Sequence, residues 1–527
     1  MAPGSERGGP PELRRRLGLL PLLGISVGGI IGSAWLFAPL FAAQLAGPGA
    51  IISWLISGGV ALLLALVYAE LGAAFPVAGG LARFSYFSHG NLAGFVAGMA
   101  CWLGYVAIAP IEVQAMIRYL SDALPWLVSA DGNRTLTGSG IAASAVLLFL
   151  MSAVNLLGVQ WLGESNKIIT IWKIIIPVVI PLALMKASFQ SGNFSSLPGG
   201  FLPSGWGGVF QAVSTGGTMF AMIGFRTAIE MAGEAKNPRR DIPFALVGSV
   251  LITLSIYIFI QIGFIGALTP ESLSQGWSKL ASNVQAGPFV QLASAAGLVW
   301  LVKLIFIDSV VSPGGCGLVF TGAAARLSYA MAANRQLPGG FSRLNGRGVP
   351  AFALAVNFLV GLIFFAPSQT WQSIVGFISS IQLLSLAFGP PALLALRNSV
   401  PDVDRPFRLP AARLLCPLAF IAANIIVYWC GWETNRVGLG LLAALGLVFV
   451  IVKRRTAPEE PLDLAGLVWL APYLAGLAAF SALGNFGGGS RTIPQGWDLL
   501  LLAVFSVGIM ALSLRSPEAK VPREVTS

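Results

Sequence analysis

The chain is poor in the residues that soluble chemistry needs. Its only histidine is His89. Its four cysteines, Cys101, Cys316, Cys416 and Cys430, contain no CxxC pair and lie in or beside apolar blocks, so neither a disulfide framework nor a zinc site is expected. Charged residues make up 10% of the 527 residues, against about 25% in a soluble domain. A Walker-type phosphate loop is missing, which excludes an ATP-driven pump. An HExxH pair or paired intramembrane aspartates in a hydrolase pattern are also missing, which argues against an intramembrane enzyme. No low-complexity tract, internal sequence repetition or cleavable signal peptide is evident. The stretch up to Arg16 is polar, and the apolar block after it continues for a full span. The formal charge of +11 does not imply nucleic acid, because the basic residues sit in short loops. No cofactor or metal is expected.

Apolar residues fill the space left by charge: 56% of the chain is hydrophobic, in blocks long enough to cross a bilayer as helices. Lipid offers no partner for an open backbone, so such blocks are helical. The fold class is all-α integral membrane, with about fourteen spans. They run Leu17–Ala43, Ala50–Leu71, Leu92–Tyr119, Ile141–Gln160, Ile168–Leu184, Val209–Ala232 and Phe244–Leu268. The remainder are Phe289–Ala332, Ala351–Phe365, Trp371–Leu396, Leu414–Cys430, Gly438–Val452, Leu464–Leu483 and Leu499–Leu514. Phe289–Ala332 is too long for one crossing and is expected to continue into the cytoplasm. Lys453–Asp463 reads as a linker, and His89 falls in a loop. With the N-terminus inside, the loops divide about 23 Lys and Arg on the cytoplasmic side against 6 outside, which sets the orientation and supports an even helix count.

Two spans carry glycine-rich interruptions. The first reads Gly24-Ile-Ser-Val-Gly28-Gly29-Ile-Ile-Gly32-Ser33, and the sixth Ser214-Thr-Gly216-Gly217-Thr-Met-Phe220-Ala-Met-Ile-Gly224-Phe225-Arg226. Each glycine weakens a helix by about 1 kcal/mol relative to alanine. A break frees peptide groups that must line a cavity, and paired breaks in separate halves mark a transporter site. Helix packing through the GxxxG of Gly28 and Gly32 is the alternative.

Three motifs give the chain its resemblance to the amino acid–polyamine–organocation permease superfamily. They are Gly28-Gly-Ile-Ile-Gly-Ser33, the run Gly224-Phe-Arg-Thr-Ala-Ile-Glu-Met-Ala-Gly-Glu-Ala-Lys-Asn-Pro-Arg-Arg-Asp-Ile-Pro243, and Arg326-Leu-Ser-Tyr-Ala-Met-Ala332 with Leu337-Pro338 and Val349-Pro350. Arg405-Pro-Phe-Arg408 also fits, and the match covers most of 17–397. The extra helices 13 and 14 and Trp35-Leu-Phe-Ala-Pro-Leu40 look like the bacterial aspartate–proton symporter group. The resemblance implies a 5+5 inverted-repeat core with broken helices 1 and 6, plus four accessory helices. It divides the chain into a cytoplasmic tail (1–16), the transport core (17–397), accessory helices 11–14 (398–515) and a second cytoplasmic tail (516–527). It implies a bacterial inner-membrane carrier with both termini cytoplasmic, taking an amino acid and protons by alternating access.

Position by position, the resemblance puts the substrate α-carboxylate on the backbone from Gly28 through Gly29 and Gly32 to Ser33. The α-ammonium meets carbonyls near Ile25 and from Phe220 through Ala221 to Ile223 and Gly224, with Phe220 as an aromatic gate. Lys173 matches a lysine that some members carry where sodium-coupled relatives hold an ion, and lysine readily changes its proton occupancy when buried. Snorkelling to the surface is its alternative. Asp308 and Ser312 lie where family coupling-ion ligands lie, and Asp308 either exchanges a proton or pairs with Lys173. Arg226 replaces an acidic or neutral residue of many relatives. It either holds a substrate side-chain carboxylate, favouring aspartate or glutamate, or pairs with Glu230 at i+4 or with another intramembrane acid. Lys303, five residues from Asp308, is expected off its face. Glu112 reads as close to the outer surface, and Glu70 and Arg83 as structural. A neutral amino acid or amine is the alternative substrate. A non-transporting receptor or structural subunit is the alternative of another class.

Overall fold

The computed structural model describes residues 17–515, apart from 78, 130–134, 158, 196–198, 284–286, 367–369 and 457–465, together with 521. Both expected tails, and most of the expected linker after Lys453, lie outside the described residues.

In chain order the helices are α1 (Leu19–Ile30), α2 (Ala34–Ala46), α3 (Ala50–Ala74), α4 (Gly80–Leu120), α5 (Gly138–Leu156), α6 (Val159–Ser188), α7 (Gly205–Ser214), α8 (Thr218–Met222), α9 (Thr227–Glu230) and α10 (Pro238–Gly266). There follow α11 (Pro270–Leu273), α12 (Pro288–Ala295), α13 (Val299–Ala333), α14 (Ala351–Leu362), α15 (Trp371–Ala387), α16 (Gly389–Ser399), α17 (Ala412–Trp429), α18 (Trp432–Thr456), α19 (Leu467–Leu483) and α20 (Trp497–Leu514). The fold is all-helical, and two isolated β-bridges are the only extended pairings among the described residues. Ten helical stretches there are long and apolar enough to cross a membrane, and the shorter apolar helices Leu19–Ile30, Ala351–Phe365 and Leu467–Leu483 accompany them. The expected count of about fourteen arises when interrupted segments are read as single crossings.

Four interruptions shape the bundle. The first separates α1 from α2 at Ile31–Ser33, and the second separates α7 from α8 at Thr215–Gly217. The third divides the expected span Phe289–Ala332, which is not one helix. Gly297 adopts φ +69°, a left-handed turn between α12 and α13 that glycine takes without steric cost. The long helix is α13 alone, 35 residues and about 52 Å at 1.5 Å per residue, longer than a bilayer core is thick. The fourth splits Trp371–Leu396 at Phe388, where Pro390 and Pro391 in the first turn of α16 supply no N–H to continue the ladder.

Helix α4 also bends, at His89 (φ −133°, ψ 16°) and Gly90 (φ 77°, ψ −168°). The sequence placed His89 in a loop. The structure buries it at this bend, packed against Trp469 of α19 with ring centroids 5.2 Å apart. At the same end of the bundle, Arg397 grips the buried Glu70 through two nitrogens, at 2.8 and 2.5 Å, and Glu70 also accepts the Leu409 N–H at 2.7 Å. Leu17 pairs with the segment after α9 through Leu17 N–H to Glu234 O (2.9 Å) and Lys236 N–H to Leu17 O (2.7 Å). The apolar core is continuous through the crossings, from Leu22 in α1 to Leu502 in α20.

Candidate functional site

The break between α1 and α2 is the centre of the molecule's buried polar structure. After Ile30 the chain extends (Ile31, φ −86°, ψ 95°) and restarts as a helix at Ala34. Just before the break, Thr170 of α6 donates to Gly24 O (3.3 Å) and Thr227 of α9 to Ile25 O (3.3 Å), carbonyls still inside α1. Peptide groups freed in a buried segment need partners, and four other crossings supply them. Lys173 Nζ of α6 donates to Gly28 O at 2.8 Å. Cys316 Sγ of α13 reaches Gly29 O (3.4 Å), and Tyr257 OH of α10 reaches Ile30 O (2.9 Å). On the donor side, the Ser33 N–H at the start of α2 gives its hydrogen bond to Glu112 Oε2 of α4 at 2.6 Å.

The second break meets the first directly. Gly217 takes φ +93°, and the chain then tightens into a 3₁₀ turn over Ile223–Arg226. A Cβ on Gly224 would lie 2.3 Å from Gly29 O and 2.6 Å from Ile30 N, so the two backbones touch where glycine alone fits. Ser26 Oγ donates to Phe225 O at 2.9 Å. The glycines of the first span therefore serve both roles left open by the sequence: they pack, and they break the helix.

A cavity of about 10 Å³ lies between the breaks, lined by Gly29, Ile30, Glu112, Phe220, Gly224 and Cys316 among others. That is room for about one water. Phe220 stands edge-on to Trp371 (6.1 Å, 88°), which stacks on Phe41 and packs on Phe37. The Trp371 ring nitrogen donates to Ser33 Oγ at 3.3 Å. Phe220 thus belongs to an aromatic cap on the α2 side of the cavity.

The charged residues are placed more specifically than the sequence suggested. Lys173 is 1% exposed, with its ammonium on Gly28 O, so it does not snorkel. Asp308 Oδ1 accepts from Trp172 Nε1 (2.6 Å) and Ser312 Oγ (2.8 Å), while its Oδ2 is buried without a partner. The expected alternative of an Asp308–Lys173 pair is not formed: among the described residues no ion pair within 4.0 Å joins them. Lys303 points out of the bundle near the start of α13, away from buried Asp308.

Arg226 is fully buried and lies over the Tyr105 ring at 4.4 Å. Its Nη1 donates to Ser385 Oγ (3.2 Å), whereas Nε and Nη2 have no partner. The expected i+4 pair with Glu230 is absent. Glu230 instead accepts from Tyr105 OH (3.2 Å) and keeps one oxygen unpaired. The guanidinium turns instead onto the Tyr105 ring and Ser385.

Glu112 is the main correction. It is not at the outer surface but 1% exposed at the heart of the site. A signal for it existed, since an intramembrane acid is by default a functional candidate. Cys316 could have been found on the helical face it shares with Asp308 and Ser312, at i+4 spacing. Thr170, Thr227 and Tyr257 carry no local signal, because their role comes only from the backbone they meet.

Two helix breaks that touch, in an all-helical bundle with spans long enough to cross a membrane, are the arrangement the sequence led one to expect of a permease. The chain matches the amino acid permease family over residues 17–486, and it belongs to that family. It is 38% identical to the glutamate/serine transporter AimA of Bacillus subtilis, over 96% of this chain and 94% of the relative. It is 37% identical to the aspartate-proton symporter of the same organism, over 94% and 96%. The branched-chain amino acid permease BcaP of Bacillus subtilis is 27% identical over 85% and 95%. The chain is a multi-pass membrane protein that transports amino acids.

Proposed function

We propose that the chain imports an acidic amino acid, aspartate or glutamate, together with protons, by alternating access across a bacterial inner membrane, with both termini in the cytoplasm. Lys173 carries the reading. A fixed ammonium 2.8 Å from Gly28 O balances the bare carbonyls of the break as a metal cation would. Unlike a metal, it can change charge by losing a proton. Asp308 and Ser312, beside Trp172 on the same helix as Lys173, form the other part of the proton path.

In this reading the α-carboxylate takes the backbone donors of the Gly28–Ser33 segment. Thr227 already holds Ile25 O, so the ammonium falls to the Phe220, Ala221 and Ile223 side, beside Gly224. Phe220 closes over the substrate. The transport core spans 17–397, and 398–515 form accessory helices. The two unpartnered nitrogens of Arg226 favour an acidic side chain, reached past Tyr105 once the cavity widens. The name of one relative, a glutamate/serine transporter, keeps a small neutral amino acid as the second reading.

In proteoliposomes, labelled glutamate or aspartate should accumulate under an inward proton gradient and ignore sodium. Sodium dependence without proton dependence removes Lys173 from this role. Competition by the twenty amino acids separates the two substrate readings.

A further inference from the structure

The position expected for the substrate carboxylate is already occupied by a carboxylate of the protein. Glu112 Oε2 accepts the Ser33 N–H at 2.6 Å, and a Cβ on Gly32 would come 2.5 Å from Oε1. The donor stands at the start of α2, a helix of 13 residues, where the aligned peptide dipoles favour an anion. Glu112 also forms a wall of the cavity between the breaks. The ionisable side chains beside it come from three other crossings: Lys173 of α6 on Gly28 O, Tyr257 of α10 on Ile30 O, and Cys316 of α13 on Gly29 O.

We propose that Glu112 is an internal stand-in for the substrate carboxylate, and that substrate displaces it from the Ser33 N–H only as Glu112 takes up a proton. This rests on the reading of the chain as a proton-coupled amino acid carrier. Two carboxylates a few ångströms apart in a dry pocket cannot both keep their charge. When the substrate carboxylate takes the Ser33 N–H, the Glu112 carboxylate accepts one proton from water on the substrate's side and becomes a neutral acid. No other bond forms or breaks. When substrate leaves on the other side, Glu112 releases that proton and returns to Ser33. In the empty carrier its carboxylate keeps the break's N–H satisfied, so the site can close without cargo.

The test uses the full chain in detergent and in proteoliposomes, with L-glutamate as probe. Calorimetry in buffers of different ionisation enthalpy counts the protons taken up on binding. Wild type should take up one proton per glutamate through this residue, and Glu112→Gln should lose that proton. In proteoliposomes Glu112→Gln should still exchange glutamate while gradient-driven uptake falls about tenfold or more, with monodisperse elution in detergent as the check on folding. The proposal is overturned if Glu112→Gln takes up the same protons and follows the gradient as wild type does. It is also overturned if a folded Glu112→Gln neither binds nor exchanges, since Glu112 would then be a substrate ligand.

Should Glu112→Gln not elute as a folded protein, Glu112→Asp is used in its place. This acid is one methylene too short to hold Ser33, and it should bind glutamate more tightly with the proton still taken up; unchanged or weaker binding overturns the proposal. If wild-type uptake itself ignores the proton gradient, the symport reading fails and this inference with it. If wild type follows the gradient and Glu112→Gln does too, only this inference fails.

Discussion

Two buried polar regions of this protein are built in opposite ways. Among the last four helices, α17–α20, the buried carboxylate and amides described are fully bonded, and the unpartnered polar atoms are ring nitrogens, those of Trp429 and Trp469. Asp498 accepts the N–H groups of Gly496 and Leu499 on one oxygen and Tyr428 OH and Asn485 on the other, at 2.6–2.9 Å. Asn424 donates to Ser506 and accepts from Tyr473, and Asn435 joins Ser380, Val427 and Ser481. Around the broken helices, by contrast, Arg226 Nε and Nη2, Glu230 Oε2, Asp308 Oδ2 and both amide atoms of Gln382 are buried without partners. Unpaired buried polar atoms cost stability, and beside the broken helices that cost falls on charged groups, Arg226, Glu230 and Asp308. A closed network holds one arrangement, whereas an open one can accept a ligand or a proton.

The sharpest way to break this comparison is to fill the contact between the two helix breaks. Gly224→Ala places a methyl against the Gly29 and Ile30 backbone, which cannot yield as a side chain can. At about 3 kcal/mol for a steric insertion, uptake per folded protein should fall about a hundredfold. Lys173→Met removes a charge-assisted hydrogen bond worth about 2 kcal/mol. Gradient-driven uptake should fall at least about tenfold while substrate exchange persists, as read in proteoliposomes. Arg226→Ala should weaken glutamate and aspartate about tenfold, roughly 1.4 kcal/mol, while inhibition by alanine and serine changes little. Equal losses would return Arg226 to a structural role. The smallest functional effect is expected in the satisfied region. Asp498→Asn should lower stability by about 1–2 kcal/mol through its four broken or weakened bonds, seen as a lower melting temperature, with the transport rate unchanged.

Much of the core was readable because its signals are chemical and local. Glycines at 24, 28, 29 and 32 weaken any helix wherever it lies, and a lysine at 173 inside an apolar run needs a reason to be there. Depth was harder. Glu112 lies eight residues before the end of α4, about 12 Å at 1.5 Å per residue, which suggested the outer surface. What buries Glu112 is packing that spacing along α4 does not reveal: it lies against the start of α2 and against Gly32. For Arg226 periodicity offered Glu230 as one of two partners, but Tyr105, from a distant part of the chain, stands between them, taking the guanidinium on its ring and donating its hydroxyl to Glu230. The turn at Gly297 is hidden because the apolar composition continues across it, and the break at Phe388 was carried in plain sight by Pro390 and Pro391.

Competition by the α-carboxamide of the transported amino acid is the most direct measurement. If bare peptide groups of the first break grip the α-carboxylate, the amide should compete about thirtyfold more weakly than the parent amino acid, the scale of one lost charge-assisted hydrogen bond of about 2 kcal/mol. An amide that competes as well as the parent would show that the breaks do not hold the zwitterion, and would contradict the account.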